Sequence, residues 1–202
     1  MKKNLYNIEQ CKDLKINQIW ELYKKYVSKG QVELISSFGF GHDTVKYAEG
    51  CSIYTTSGKK ILDFTGGFGV LNLGHNHPRI LAARIEYQKQ KKMEVSKQFF
   101  SPYVAGLSHN IAELLPENIN NSFFCNSGAE SVEGAIKMAF KYHEGKRKYI
   151  LHSDIAFHGK LLGSGSISVS PDMHFRFPQI PNTMEYKYND IGSIKKIINN
   201  LK

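Results

Sequence analysis

The sequence predicts an α/β fold with a mostly parallel sheet, preceded by an N-terminal helix and a β-hairpin arm. Three observations predict it. Residues 122–152 run apolar segment, small-residue turn, amphipathic helix and second apolar segment, the order of a βαβ unit. Residues 51–64 form two β-rich runs around Ser57-Gly58, as a hairpin does. Apolar residues recur at helical spacing on either side of these segments.

The elements follow in chain order. Ile16, Ile19, Trp20, Tyr23, Tyr26 and Val27 share one face of a helix expected over about Asn17 to Ser28, with Gly30 as its stop. A glycine-rich loop, Ser36 to Gly41, leads into the hairpin strands Cys51–Thr55 and Lys60–Phe64. Glycines crowd the stretch from Thr65 to Gly74, where tight bends or close backbone approach are expected. Pro78 suits the first turn of a helix running to about Lys92, and Pro116 closes another that begins at Pro102. Ser122–Cys125 reads as a strand. Ser127 is the N-cap candidate of the next helix, with Glu130 three residues on to complete a capping box. Gly145 ends that helix and Lys148–His152 reads as the second strand, the two strands forming a parallel pair. Residues 190–201 form a last amphipathic helix. The division expected is an arm over residues 1–78 and an α/β domain over 79–202.

Composition narrows the function. The chain has 202 residues, 41% hydrophobic and 22% charged, which is ordinary for a globular protein with a sizeable core. It holds no apolar run near the ~20 residues of a membrane span, and its basic start lacks the apolar stretch of a secretory signal. Cys11, Cys51 and Cys125 are scattered without paired spacing, so a reducing, cytoplasmic setting is expected. The net charge of +9 comes from dispersed lysines, the only arginines being Arg79, Arg84, Arg147 and Arg176. That pattern describes a solvated surface, or one half of an assembly whose acidic part lies elsewhere, and no nucleic-acid partner is expected. His75 and His77 have no third ligand nearby, so no metal is expected. Asn120-Asn121-Ser122 is a glycosylation triplet, set aside because it opens a strand expected to be buried. The glycine patterns of dinucleotide and nucleoside-triphosphate loops are missing.

Two loops carry the chemistry. The turn at Ser127, Gly128 and Ala129 offers helix N-terminal N–H groups with no bulky side chain in front, which suits a phosphate, although many capped helices bind nothing. In Phe157-His158-Gly159-Lys160 the aromatic side chain could stack on a ring and the lysine could meet an anion. The same residues also read as a core phenylalanine and a solvent-facing lysine.

In their order, four blocks resemble the class III aminotransferases, pyridoxal-phosphate enzymes of the aspartate-aminotransferase fold. Gly50 to Phe64 looks like the family's entry hairpin, and Thr65 to Pro78 like its glycine-aromatic-glycine segment ending in Gly-His-x-His-Pro. Ser122 to Lys137 is similar to its Asn-Ser-Gly-Ala-Glu block, and Ala156 to Ser164 to its Ala-Phe-His-Gly loop. The resemblance covers about residues 20 to 202. It implies a partial three-layer α/β large domain of the aspartate-aminotransferase-like fold. The cofactor it implies is pyridoxal 5′-phosphate, with Gly128 and Ala129 offering N–H groups to the phosphate, Ser127 capping the turn and Phe157 on the ring. It puts Phe68 at the substrate entrance and Lys160 where many amino-acid-specific relatives carry arginine. Lysine cannot hold a carboxylate in a planar fork, so the match points to the putrescine (diamine) branch, with ornithine and other ω-amine donors still open.

By the same resemblance the partners are an amine donor, a 2-oxo acid acceptor and a second copy in a homodimer. Relatives carry the cofactor-bonding lysine, and the aspartate facing the ring nitrogen, well downstream of the Phe-His-Gly loop. Both are therefore expected beyond Lys202, and no catalytic residue is assigned within the chain. The expectation is an N-terminal part of an aminotransferase, inactive alone and completed by a C-terminal polypeptide. The alternative is a truncated, non-catalytic fragment acting as a binding or interaction module.

Overall fold

The computed structural model describes residues 5–93, 98–116, 118–169 and 178–201. The basic stretch at residues 1–4, Arg176 and the last residue lie outside them. The chain divides into two units, Met1–Val95 and Ser96–Lys202.

The first unit opens with a short helix that the apolar pattern does not reveal, α1 (Ile8–Lys12), held by a capping box between Asn7 and Gln10. The helix expected over about Asn17 to Ser28 is present, but the chain restarts as helix after Ser28 where Gly30 was expected to stop it. α2 (Ile16–Tyr23) passes into a π-turn at Lys24–Ser28, and α3 (Lys29–Ser37) follows. Gly30 is therefore helical and stops nothing. The break is at Ser28, whose extended backbone lets its Oγ accept from Gln31 N–H at 3.2 Å and cap α3. Helix α3 also absorbs Ser36 and Ser37 from the expected loop. Trp20 Nε1 donates to Gly41 O at 2.7 Å, tying α2 to the chain beyond α3, and Val32 is buried beneath.

The expected hairpin is present as β2 (Ser52–Thr55) and β3 (Lys60–Leu62), with Ile53 opposite Ile61. A third strand, β1 (Val45–Glu49), adds antiparallel to β2, where Tyr47 stacks on Tyr54 with ring centroids 4.4 Å apart. Asp43 locks the hairpin turn, accepting from the N–H of Thr44 and of Ser57 and from the hydroxyls of Thr56 and Ser57. After β3 comes α4 (Gly66–Gly69), a single turn with left-handed backbone throughout, including Phe68 at φ 60°. Left-handed helix costs an L-residue roughly 1–2 kcal/mol, which is why three of the four residues are glycine. Helix α5 (Pro78–Lys89) starts at the predicted proline and stops three residues before Lys92.

The second unit holds α6 (Pro102–Leu114), capped by Ser101, and α7 (Gly128–Tyr142). Gly145 N–H closes the end of α7 on Phe140 O at 3.0 Å. Ser122–Cys125, expected as a strand, is not one. A strand needs a neighbouring backbone, and none pairs with this segment among the described residues. It runs instead against α7, with Phe123 so close to Gly134 that an added Cβ there would lie 3.2 Å from the ring. The parallel pair is β4 (Ile150–Ser153) with β5 (Thr183–Tyr186), Ile150 opposite Thr183. Between them lies α8 (Leu162–Ser166), and α9 (Ile191–Asn200) follows, capped by Asp190. Val32 and Ile167 are the buried apolar residues among those described, so most apolar helix faces stay open.

Candidate functional site

Ser127, Gly128 and Ala129 sit where the chain turns into α7. Ser127 has extended backbone, and its Oγ accepts from Glu130 N–H at 3.2 Å. Glu130 Oε2 in turn accepts from Asn126 N–H at 2.7 Å, one residue before the cap. Ser131 N–H reaches Ser127 O at 3.1 Å. The N–H groups of Gly128 and Ala129 are left without an acceptor among the described residues. A Cβ added to Gly128 would meet nothing within 4 Å, so the space before these donors is open. They stand at the positive end of a 15-residue helix. Two free donors, a helix dipole and open space match what a phosphate requires.

The loop after β4 lies directly on this turn. Gly159 has φ 130°, and a Cβ added there would sit 2.5 Å from the Ala129 Cβ, so only glycine allows the approach. Phe157 is 67% exposed. Lys160 is exposed and has no ion pair among the described residues. Ser127, Gly128, Ala129, Phe157 and Lys160 thus belong to one pair of adjoining loops. Phe68 belongs to the first unit, where its side chain is fully exposed.

Sequence reasoning missed the residues that hold the second loop. Glu133, one turn inside α7, accepts from Ser164 N–H at 2.7 Å. Ser164, Ser166 and Ser168 are essentially buried. Their alternation with Gly163, Gly165 and Ile167 was the available signal, since small polar residues at every second position suit a segment packed on both sides. In the first unit, the Asp63 carboxylate accepts from Thr65 N–H and Oγ1, from Gly66 N–H, and from His75 Nε2 at 2.8 Å. These contacts, the Thr65 hydroxyl foremost and then His75, hold its carboxyl well below the usual carboxylate range. They also fix the entry to α4 and so the backbone under Phe68. His75 is therefore spent on Asp63. His77 keeps a buried Nδ1 without a partner among the described residues.

Comparison with known proteins adds a family and a fold. The family model for class-III aminotransferases matches residues 40–200. Among solved structures, a transaminase from the marine bacterium Virgibacillus superposes with a TM-score of 0.76 at 23% identity over 91% of this chain. The ornithine aminotransferase of Toxoplasma gondii, which carries pyridoxal phosphate at partial occupancy, gives 0.76 at 21% identity over 98%. An (S)-enantioselective omega-transaminase from Thermomicrobium roseum gives 0.76 at 22% identity over 98%. The chain spans 44%, 47% and 48% of their respective lengths. These likenesses show the fold. Among the described residues, no helix is long and apolar enough to cross a membrane.

Proposed function

The chain belongs to the class-III aminotransferases, a pyridoxal-phosphate-dependent family, and from that premise we propose that it forms the phosphate-gripping wall of such an enzyme's cofactor site. The observation that carries this reading is the pair of unclaimed N–H groups at Gly128 and Ala129, with the Phe157 loop packed on the same turn through Gly159. Gly128 and Ala129 would bind the phosphate and Ser127 would keep their turn in shape. Phe157, exposed beside them, would lie against the ring. When bound, the cofactor supplies the electron sink that lets an amino group leave one carbon and join another.

The substrate reading is a diamine or ω-amino acid donor of the putrescine type and a 2-oxo acid acceptor. Lys160 supports it, because a lone ammonium at that place favours a substrate without an α-carboxylate to clamp. Phe68, held out at full exposure on its strained turn, would line the entrance. No lysine here matches the family's cofactor-bonding position, so we read this chain as inactive by itself. A homodimer in the cytoplasm, completed by a C-terminal polypeptide, is the working assembly. The many exposed apolar side chains also favour a second reading, a non-catalytic interaction module. Turnover restored by co-expression with a complementing polypeptide separates the two.

The direct test is Gly128→Pro. Proline is tolerated in the first turn of a helix and removes one N–H. Affinity for pyridoxamine 5′-phosphate should fall about tenfold with helicity unchanged by circular dichroism. Unchanged affinity would remove the phosphate reading.

A further inference from the structure

We propose that Ser168 is a positioning residue of this cofactor site, one that fixes the Phe157–Lys160 loop over the Ala129 turn; the inference rests on the cofactor reading above. Ser168 is 1% exposed. Its Oγ accepts from His158 N–H at 2.9 Å and directs its single proton toward Gly159 O at 3.1 Å and Ser164 O at 2.8 Å. The contact with Ser164 O reaches four residues back and is the ordinary bond of a serine in a helical turn. The other two are not ordinary. They reach ten and nine residues back, to the backbone units lying between Phe157 and Lys160.

The loop is therefore fixed from both sides. On one side Gly159 rests against Ala129, too close for a Cβ to fit between them. On the other, a buried hydroxyl bridges the peptide that follows Phe157 and the peptide that precedes Lys160, so the backbone between them cannot lift without breaking a buried bond. Ser166 provides the comparison. It is also fully buried, but it donates to Leu162 O at 2.6 Å and accepts from Ile180 N–H at 3.0 Å, with no hydrogen bond to the loop among the described residues. Two serines of like burial thus bond to different segments, and Ser168 is the one bonded to the ring-bearing loop.

The test compares two probes on the full chain. Pyridoxamine 5′-phosphate carries ring and phosphate but no aldehyde to react with the lysines. Inorganic phosphate carries the phosphate alone. The wild-type chain should prefer the first. Ser168→Ala should lower that preference about tenfold, leave phosphate affinity unchanged, and speed hydrogen exchange at the His158 amide. Ser166→Ala should lower thermal stability and keep the preference. Should the alanine variant unfold, Ser168→Cys fills the same space with a weak hydrogen-bonding group, and the same loss is expected. Equal loss of preference in both serine variants would make Ser168 merely structural and overturn the proposal. So would a retained preference with a freely exchanging His158 amide. A wild-type chain with no preference at all defeats the cofactor reading itself, and that result is visible before any substitution is made.

Discussion

At the scale of single residues, Asp63 carries the clearest consequence. Its side chain is 7% exposed and holds the start of the left-handed turn by four hydrogen bonds. Asp43 does the same for the hairpin turn, and both carboxyls are held below their ordinary range, Asp43 chiefly by the Ser57 hydroxyl. A carboxyl whose pKa is lower in the folded chain contributes stability that is fully present above its unfolded value, ~3.9. That contribution is lost as pH falls through the folded value. The first unit should therefore weaken progressively below about pH 4, where carboxylates begin to protonate. Trp20, the one tryptophan, sits in that unit against Gly41 and reports its unfolding by fluorescence. Asp63→Asn should flatten part of the acid dependence and the Asp43→Asn, Asp63→Asn pair most of it. An acid transition unchanged in the double variant would contradict this account. Sequence reading identified Asp63 only as a residue in the hairpin's second strand, because its partners are scattered from Thr65 to His75 and acquire meaning only when the chain has folded.

Among elements, the contact between α7 and α8 is the one on which the second unit's loop depends. Glu133 reaches from α7 to Ser164 N–H, and a Cβ added to Gly163 would lie 2.7 Å from its Oε2. Gly163→Ala should force the carboxylate aside and leave a buried N–H unpaired, costing roughly 1–3 kcal/mol. In a Glu133→Ala background the same substitution should cost much less, since the obstacle and the bond are already gone. Thermal melts of the four chains make the double-mutant cycle, and additive costs would contradict the coupling. This contact also marks how far the sequence could be read. Helices α5, α6, α7 and α9 were legible from signals local to each segment: a first-turn proline for α5, prolines at both ends of α6, cap, period and terminator together for α7, and the apolar period for α9. The turn at Ser127–Ala129 was legible for the same reason. The strand expected at Ser122–Cys125 was not, since pairing is a property of two backbones and its apolar run says nothing about a neighbour. β1, β5 and the serine row were missed for a like reason: each is defined by what it meets.

For the whole molecule, surface is the issue. Many apolar side chains lie open within each unit. Phe64 in the first unit and Phe100, Leu114 and Tyr142 in the second are each more than four-fifths exposed. Contiguous exposed apolar surface of this kind marks a face that a partner covers. We therefore expect the isolated chain to bind a hydrophobic dye and to associate with concentration. Salt should tell which partner satisfies it. Two copies of a chain with net charge +9 repel, so self-association should strengthen as salt screens that repulsion. A complementing acidic polypeptide is attracted by the same charge, so its binding should quicken at low salt and slow as salt rises. Sedimentation of the chain alone, and with a candidate partner, at low and high ionic strength measures both trends. A dye-silent monomer that melts cooperatively at every salt concentration would mean that these apolar faces require no partner.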